Sequence, residues 1–200
     1  MANEYADLPT LLAQLGAEPG DTNLDGLLRS ALEAASRSID RATGRRFYLD
    51  AAPSARRYNP RERTARETDG ERLLVDDMGA EPTTVETGSG ASWSVVAAGQ
   101  YEAGPDNALA DSRPLTSLLA LSSYWDTGGT GRVRVTARWG WPAVPPEIAQ
   151  ATLIQANRLF KRKNSPEGVM GSAEWGVVRL SRRDPDVWNL IEPYMLPGMA

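Results

Sequence analysis

The sequence predicts an α+β fold, a small helical bundle with an inserted antiparallel β module, and three observations predict it. Apolar residues recur at three- and four-residue steps up to Gly44 and again from Pro145, the period of helices with one buried face. Between Arg45 and Trp141 that period is lost, and Gly, Pro, Ser and Thr separate short runs rich in β-branched and aromatic residues. With 200 residues, 41% of them hydrophobic and 24% charged, the chain is long enough to bury a core and has the composition of a globular protein. The expected division is 1–46 for an N-terminal helical part, 47–141 for the β module, and 142–200 for a C-terminal helical part that completes the bundle and carries a Gly-rich loop at 165–176.

A first helix is expected from about Leu8 to Leu15, capped by Asp7, with Pro9 in its first turn and Gly16 as its stop. A second starts from Asp21 or Thr22 and ends at Gly44, with Leu24, Leu27, Leu28, Ala31, Leu32, Ala35, Ile39 and Ala42 on one stripe. Leu28, Ala31, Leu32 and Ala35 are assigned to close packing on another helix and, in part, on a neighbouring subunit. Candidate strands are Ala55 to Tyr58, Arg72 to Val75, Thr83 to Thr87, Trp93 to Val96, Gln100 to Ala103, Leu115 to Leu121 and Val133 to Trp139. In the last, Arg132, Arg134, Thr136 and Arg138 alternate with Val133, Val135, Ala137 and Trp139, which leaves an Arg-bearing face exposed.

Helical texture returns at Pro145, with Ile148, Ala149, Thr152, Leu153, Ala156, Leu159 and Phe160 on one face. That helix closes on Lys161, Arg162 and Lys163, cations that favour a helix C-terminus. The stretch Ser165 to Gly176 holds Val169, Met170 and Trp175, apolar residues natural in a loop that orders on a partner. A short strand Val177 to Leu180 and a last helix through Val187, Trp188, Leu190 and Ile191 follow, the helix capped by Asp184 or Asp186 and closed by Pro193.

The residue inventory excludes most chemistry. There is no Cys and no His, so disulfides, thiolates, the commonest zinc ligands and the usual general base near neutral pH are missing. The acids Asp69, Glu71, Asp76 and Asp77 cluster around one strand, but nothing in their spacing brings two of them to a cleft. Neither Gly88–Gly90 nor Gly128–Gly131 is followed by a phosphate-cradling lysine and hydroxyl. No catalytic residue, cofactor or metal is expected. Trp93, Tyr101, Tyr124 and Trp125 could form a sugar-stacking platform or the core of the β module. No apolar run approaches the roughly 20 residues of a membrane span, and the first twelve residues lack the layout of a signal peptide, so a cytoplasmic protein without membrane contact is expected.

Charge is segregated beneath a net value of -4. Residues 45–66 carry seven Arg (Arg45, Arg46, Arg56, Arg57, Arg61, Arg63, Arg66) against Asp50 and Glu62, whereas 67–111 carry ten acids against Arg72. A pI near 5.0 argues against an autonomous DNA-binding protein. Complementary blocks of this kind suit a molecule that meets copies of itself or a charged partner.

Three stretches carry a family resemblance: Ile39-Asp40-Arg41-Ala42-Thr43-Gly44-Arg45-Arg46-Phe47, Val135-Thr136-Ala137-Arg138-Trp139-Gly140-Trp141-Pro142-Ala143-Val144-Pro145, and Arg158-Leu159-Phe160-Lys161-Arg162-Lys163-Asn164-Ser165-Pro166-Glu167-Gly168. In this order and spacing they resemble the head-to-tail connector, or adaptor, proteins of long-tailed bacteriophages. The resemblance implies a structural protein made in the bacterial host cytoplasm and lodged in the virion. There it would form a homo-oligomeric ring, commonly of twelve subunits, beneath the portal protein, extend the DNA channel and offer a surface to a neck or tail completion protein.

Family members dock their tail end on the portal, which implicates Trp188, Leu190, Ile191, Tyr194 and Met195; removal of 187–200 is then expected to leave a folded chain. Val169, Met170 and Trp175 become a second partner contact, and Lys161, Arg162 and Lys163 become candidates for non-specific contact with packaged DNA. The β insertion is longer than in many members, and a carbohydrate- or capsid-surface-binding module is the alternative reading of it.

Overall fold

Helix α1 (Leu8–Leu15) begins where its caps stand. The Asp7 carboxylate accepts the Thr10 backbone N–H at 2.7 Å, and Gly16 ends the helix in the left-handed region at φ 63°. Helix α2 (Thr22–Thr43) lays Leu28, Ala31, Leu32 and Ala35 against Leu8, Leu11 and Leu12 of α1. Across the intervening β module, helix α4 (Pro146–Arg162) adds Leu153 and Ala156 to the same core. Ala31, Ala35 and Ala156 keep the helices close, while each buried Leu contributes about 1.5–3 kcal/mol. Helix α5 (Pro185–Ile191) buries Val187 and Ile191, and its N-cap Asp184 accepts the N–H groups of Asp186 and Val187 and pairs with Arg158 of α4 at 3.2 Å. These helices belong to one compact unit, Met1–Arg45 with Val144–Ala200, and Arg46–Ala143 form the other. The computed structural model describes residues 3–17, 22–121, 125, 131–162, 169–170, 178–179 and 184–197.

The second unit is built from β1 (Ser54–Tyr58), the one-turn helix α3 (Pro60–Arg63), β2 (Thr64–Arg66), β3 (Gly70–Met78), β4 (Thr84–Ser89), β5 (Ser92–Val95), β6 (Tyr101–Gly104), β7 (Leu115–Leu121) and β8 (Arg132–Ala137). They pair antiparallel into two four-stranded sheets, β1-β8-β4-β5 and β2-β3-β7-β6. One core joins the sheets through Tyr58, Leu73, Met78, Val85, Leu118, Trp125, Val133, Val135 and Trp139. Strand β8 shows the expected alternation, with Val133, Val135 and Ala137 fully buried. The α+β class with helices and an antiparallel β module is therefore the observed architecture. Two further strands, β9 (Val169–Met170) and β10 (Val178–Arg179), pair with each other in the helical unit.

The differences from the expected elements have local causes. Strand β3 runs nine residues because Gly70 and Glu71 pair with Leu121 and Ala120 at one end and Met78 pairs with Leu115 at the other, with a register shift between Leu74 and Met78. The expected elements include none over 60–66, whose Arg-rich composition hides a helical turn and an edge strand. Strand β8 stops at Ala137, and Trp139 instead bridges Met78. Gly140 follows at φ 104°, where a Cβ would stand 1.8 Å from the Tyr48 carbonyl oxygen, so no other residue fits the turn. Pro193 does not end α5 abruptly; it lies in a 3-10 turn, Glu192–Tyr194, after which the Leu196 N–H returns to the Thr43 carbonyl at 2.9 Å. No helix among the described residues is long and apolar enough to cross a membrane.

Candidate functional site

Asp76 is the hub of the polar face in the β unit. The register shift in β3 aims its carboxylate at Arg56 (2.8 Å), Arg63 (3.2 Å) and the Tyr58 hydroxyl (3.1 Å). Burial alone would raise the Asp76 pKa, but the hydrogen bonds from Arg56 and Arg63 outweigh it and hold the carboxyl below its ordinary value. Burial, then the charge of Asp76, pushes the Tyr58 phenol upward, so it remains a donor. Arg56 also lies 4.3 Å over the Trp139 ring and Arg63 5.3 Å over Tyr58. Around this hub opens a pocket of about 640 Å³ whose walls include Arg56, Arg57, Arg63, Arg132, Tyr58 and Asp76. Sequence reading named Arg56, Arg57, Arg63 and Asp76 in separate groups and did not join Arg132 to them. The antiparallel register of β1 on β8 was the missing link.

The remaining acids of the expected cluster diverge. Glu71 accepts the buried Trp125 backbone N–H at 2.8 Å, Asp77 accepts the Trp141 indole N–H at 3.0 Å, and Asp69 is exposed. No group of three His, Cys, Asp or Glu among the described residues could hold a metal ion. The aromatics also separate. Trp125 is 2% exposed and anchored by its indole N–H to the Leu118 carbonyl, and Tyr101 packs 6.5 Å from it. Trp93 lies under Arg134 (4.2 Å) and Arg57 (5.6 Å), and Arg134 is held by Glu86 through two bonds of 2.6 and 2.5 Å. The Arg-bearing face of β8 is thus half-covered by its own partners, which corrects the expectation of an exposed face. Tyr124 lies outside the described residues.

In the helical unit, Leu28, Ala31, Leu32 and Ala35 are 0–8% exposed and close the chain's own core. Of the five tail-end candidates, Ile191 is buried, whereas Trp188, Leu190, Tyr194 and Met195 are half-buried. Tyr194 donates to Glu147 at 2.9 Å. Leu196, 37% exposed and absent from the expected set, is a further exposed apolar residue at this end; its place beside Met195 was the available signal. Val187 and Ile191 are buried, so a cut at 187 removes core side chains and is expected to destabilise the bundle as well as to remove the tail-end contact. Lys161 and Arg162 are exposed at the end of α4. Lys163 and Trp175 lie outside the described residues, and Val169 and Met170 are placed only as backbone in β9.

No protein-family model and no curated protein matches the sequence. Among solved structures, a chain of the "Virion of native gene transfer agent (GTA) particle" aligns over 99% of this chain and 98% of its own, at 22% identity and a TM-score of 0.52. The shared property is the fold. A chain of the "Neck of native GTA particle computed with C12 symmetry" aligns over 100% of both chains at 22% identity, with a TM-score of 0.41. The first alignment spans both units, so the β insertion belongs to the shared architecture rather than being added to it.

Proposed function

We propose that this chain is a structural head-to-tail connector of a phage-type virion. It assembles as a ring of copies, twelve by the family resemblance, beneath the portal, extends the DNA channel and presents a surface to the next neck or tail component. The observation that carries the reading is the end-to-end likeness in fold to a gene transfer agent virion chain. The three quoted stretches support it from the sequence, running from the end of α2 through the return into α4. A non-enzymatic role is supported by the engagement of Glu71, Asp76 and Asp77 with indole, amide and guanidinium groups, which leaves them structural work.

On this reading Trp188, Leu190, Tyr194, Met195 and Leu196 form the portal-facing set, and Lys161 and Arg162 touch packaged DNA without sequence preference. The protein is mixed with portal rings from its own genome and the mass of the product is measured. A stoichiometric layer on the portal is expected. Trp188→Ala with Tyr194→Ala should weaken it by about thirtyfold or more, the effect of losing one aromatic hot spot. Failure of the wild-type chain to join portal rings, or glycan binding by a chain that stays monomeric, overturns the proposal.

A further inference from the structure

Two oppositely charged sets stand on different elements of the β unit, a basic one on β1, α3 and β8 and an acidic one on the β6 edge of the sheet β2-β3-β7-β6. The basic set is the arginine pocket, where four guanidinium groups (Arg56, Arg57, Arg63 and Arg132) line the same opening as a single carboxylate, Asp76. That carboxylate is already shared between Arg56 and Arg63. Arg57 is exposed, stacks on Trp93 and has no carboxylate partner among the described residues. At the acidic edge, β6 pairs with β7 alone, and Glu102 on it, with Asp106 and Asp111 in the connection to β7, are all exposed. No ion pair among the described residues holds Glu102 or Asp111.

We propose that the arginine pocket receives carboxylate side chains from the acidic β6 edge of a second copy of this chain. The inference deepens the connector reading and rests on it, because it names the contact by which copies join. A basic pocket on one set of elements and an acidic edge on another form a heterologous, head-to-tail contact between copies, which closes into a ring when the rotation per copy permits. Planar guanidinium groups suit paired, in-plane recognition of carboxylates. Nucleic acid is the less favoured occupant: residues 46–143 carry 11 Arg against 13 Asp and Glu, so the field around this unit repels a polyanion while the local pocket attracts single carboxylates.

The test uses the full chain with the exposed pair Glu102→Lys and Asp111→Lys as one variant and Arg57→Glu with Arg132→Glu as the other. Self-association is read by sedimentation velocity at low and high salt, and ring-layer formation on portal rings in parallel. Wild-type association should weaken at high salt, and each reversed variant should raise the dissociation constant at least about tenfold. A one-to-one mixture of the two variants should recover association, because the reversed pocket of one meets the reversed edge of the other.

Association of both variants equal to wild type, failure of the mixture to recover it, or no charge-dependent association in either assay overturns the inference. So does a gain of the wild type over Arg57→Glu/Arg132→Glu in binding duplex DNA with no change in self-association. Melting curves matched to wild type identify variants that fold. A layer on portal rings that both variants form normally removes this contact and leaves the connector reading standing. Charge-dependent self-association without any portal layer does the reverse.

Discussion

The helical unit buries Leu and Ala almost to the exclusion of anything larger, whereas the β unit buries Trp125, Trp139, Tyr58 and Met78 and surrounds them with guanidinium groups. In the first, the buried Ser36, Thr43 and Thr152 hydroxyls bond back to the carbonyl one turn earlier, and Ser36 also accepts the distant Tyr5 N–H. In the second, Glu71, Asp76 and Asp77 are each satisfied by residues 13 to 64 positions away. The contrast teaches that helix packing here fixes shape and leaves apolar residues at the surface, while the sheets fix where charges stand. A partner that reads shape would use the helices, and one that reads charge would use the sheets.

Four substitutions probe this contrast, from the largest effect to the smallest. Ala35→Glu places a carboxylate at a position 0% exposed among Leu side chains, so a loss of several kcal/mol and an unfolded bundle are expected in thermal melts. An intact melt would show that the small-residue interface is loose. Gly140→Ala is expected to cost about 2–4 kcal/mol, since φ 104° disfavours any side chain and the Tyr48 carbonyl leaves no room for one; chemical denaturation measures it.

Asp76→Asn should cost about 1 kcal/mol, the scale of half-exposed charged hydrogen bonds. Because the folded pKa of Asp76 lies below 3.8, its stabilisation is fully present above that pH and is lost as pH falls through the folded value. Wild type should therefore lose more stability than Asp76→Asn in acid titrations below about pH 4. Glu86→Gln should lower the melting temperature only slightly, as a single ion pair is lost while Arg134 keeps its stack on Trp93.

Much of the fold was readable because its signals are local. Asp7 and Gly16 bracket α1, Asp184 and Pro185 start α5, and the alternation of Val133 and Val135 defines β8. The segment Pro60–Arg66 was hidden because neither its helical turn nor its edge strand has an apolar face to betray it. The arginine pocket was hidden for a different reason: Arg57 and Arg132 are brought together by strand pairing across some 75 residues, and pairing partners leave no local mark. The small-residue stripe on α2 was legible as an interface, but which helix would cover it was not, since sequence periodicity is the same whether the covering helix comes from this chain or another.

One feature of the chain path sets the order in which the molecule can be made. The covering helix α4 begins at Pro146, about 100 residues after α2 ends at Thr43, and the whole of the β unit is translated between them. At about 5–20 residues per second, the Leu and Ala face of α2 therefore leaves the ribosome roughly 5–20 s before its cover exists. The β unit is contiguous in sequence and can be complete in that interval. The last-made segment thus finishes the first-made one, and for most of its synthesis the nascent chain has only α1 to cover its longest apolar stripe.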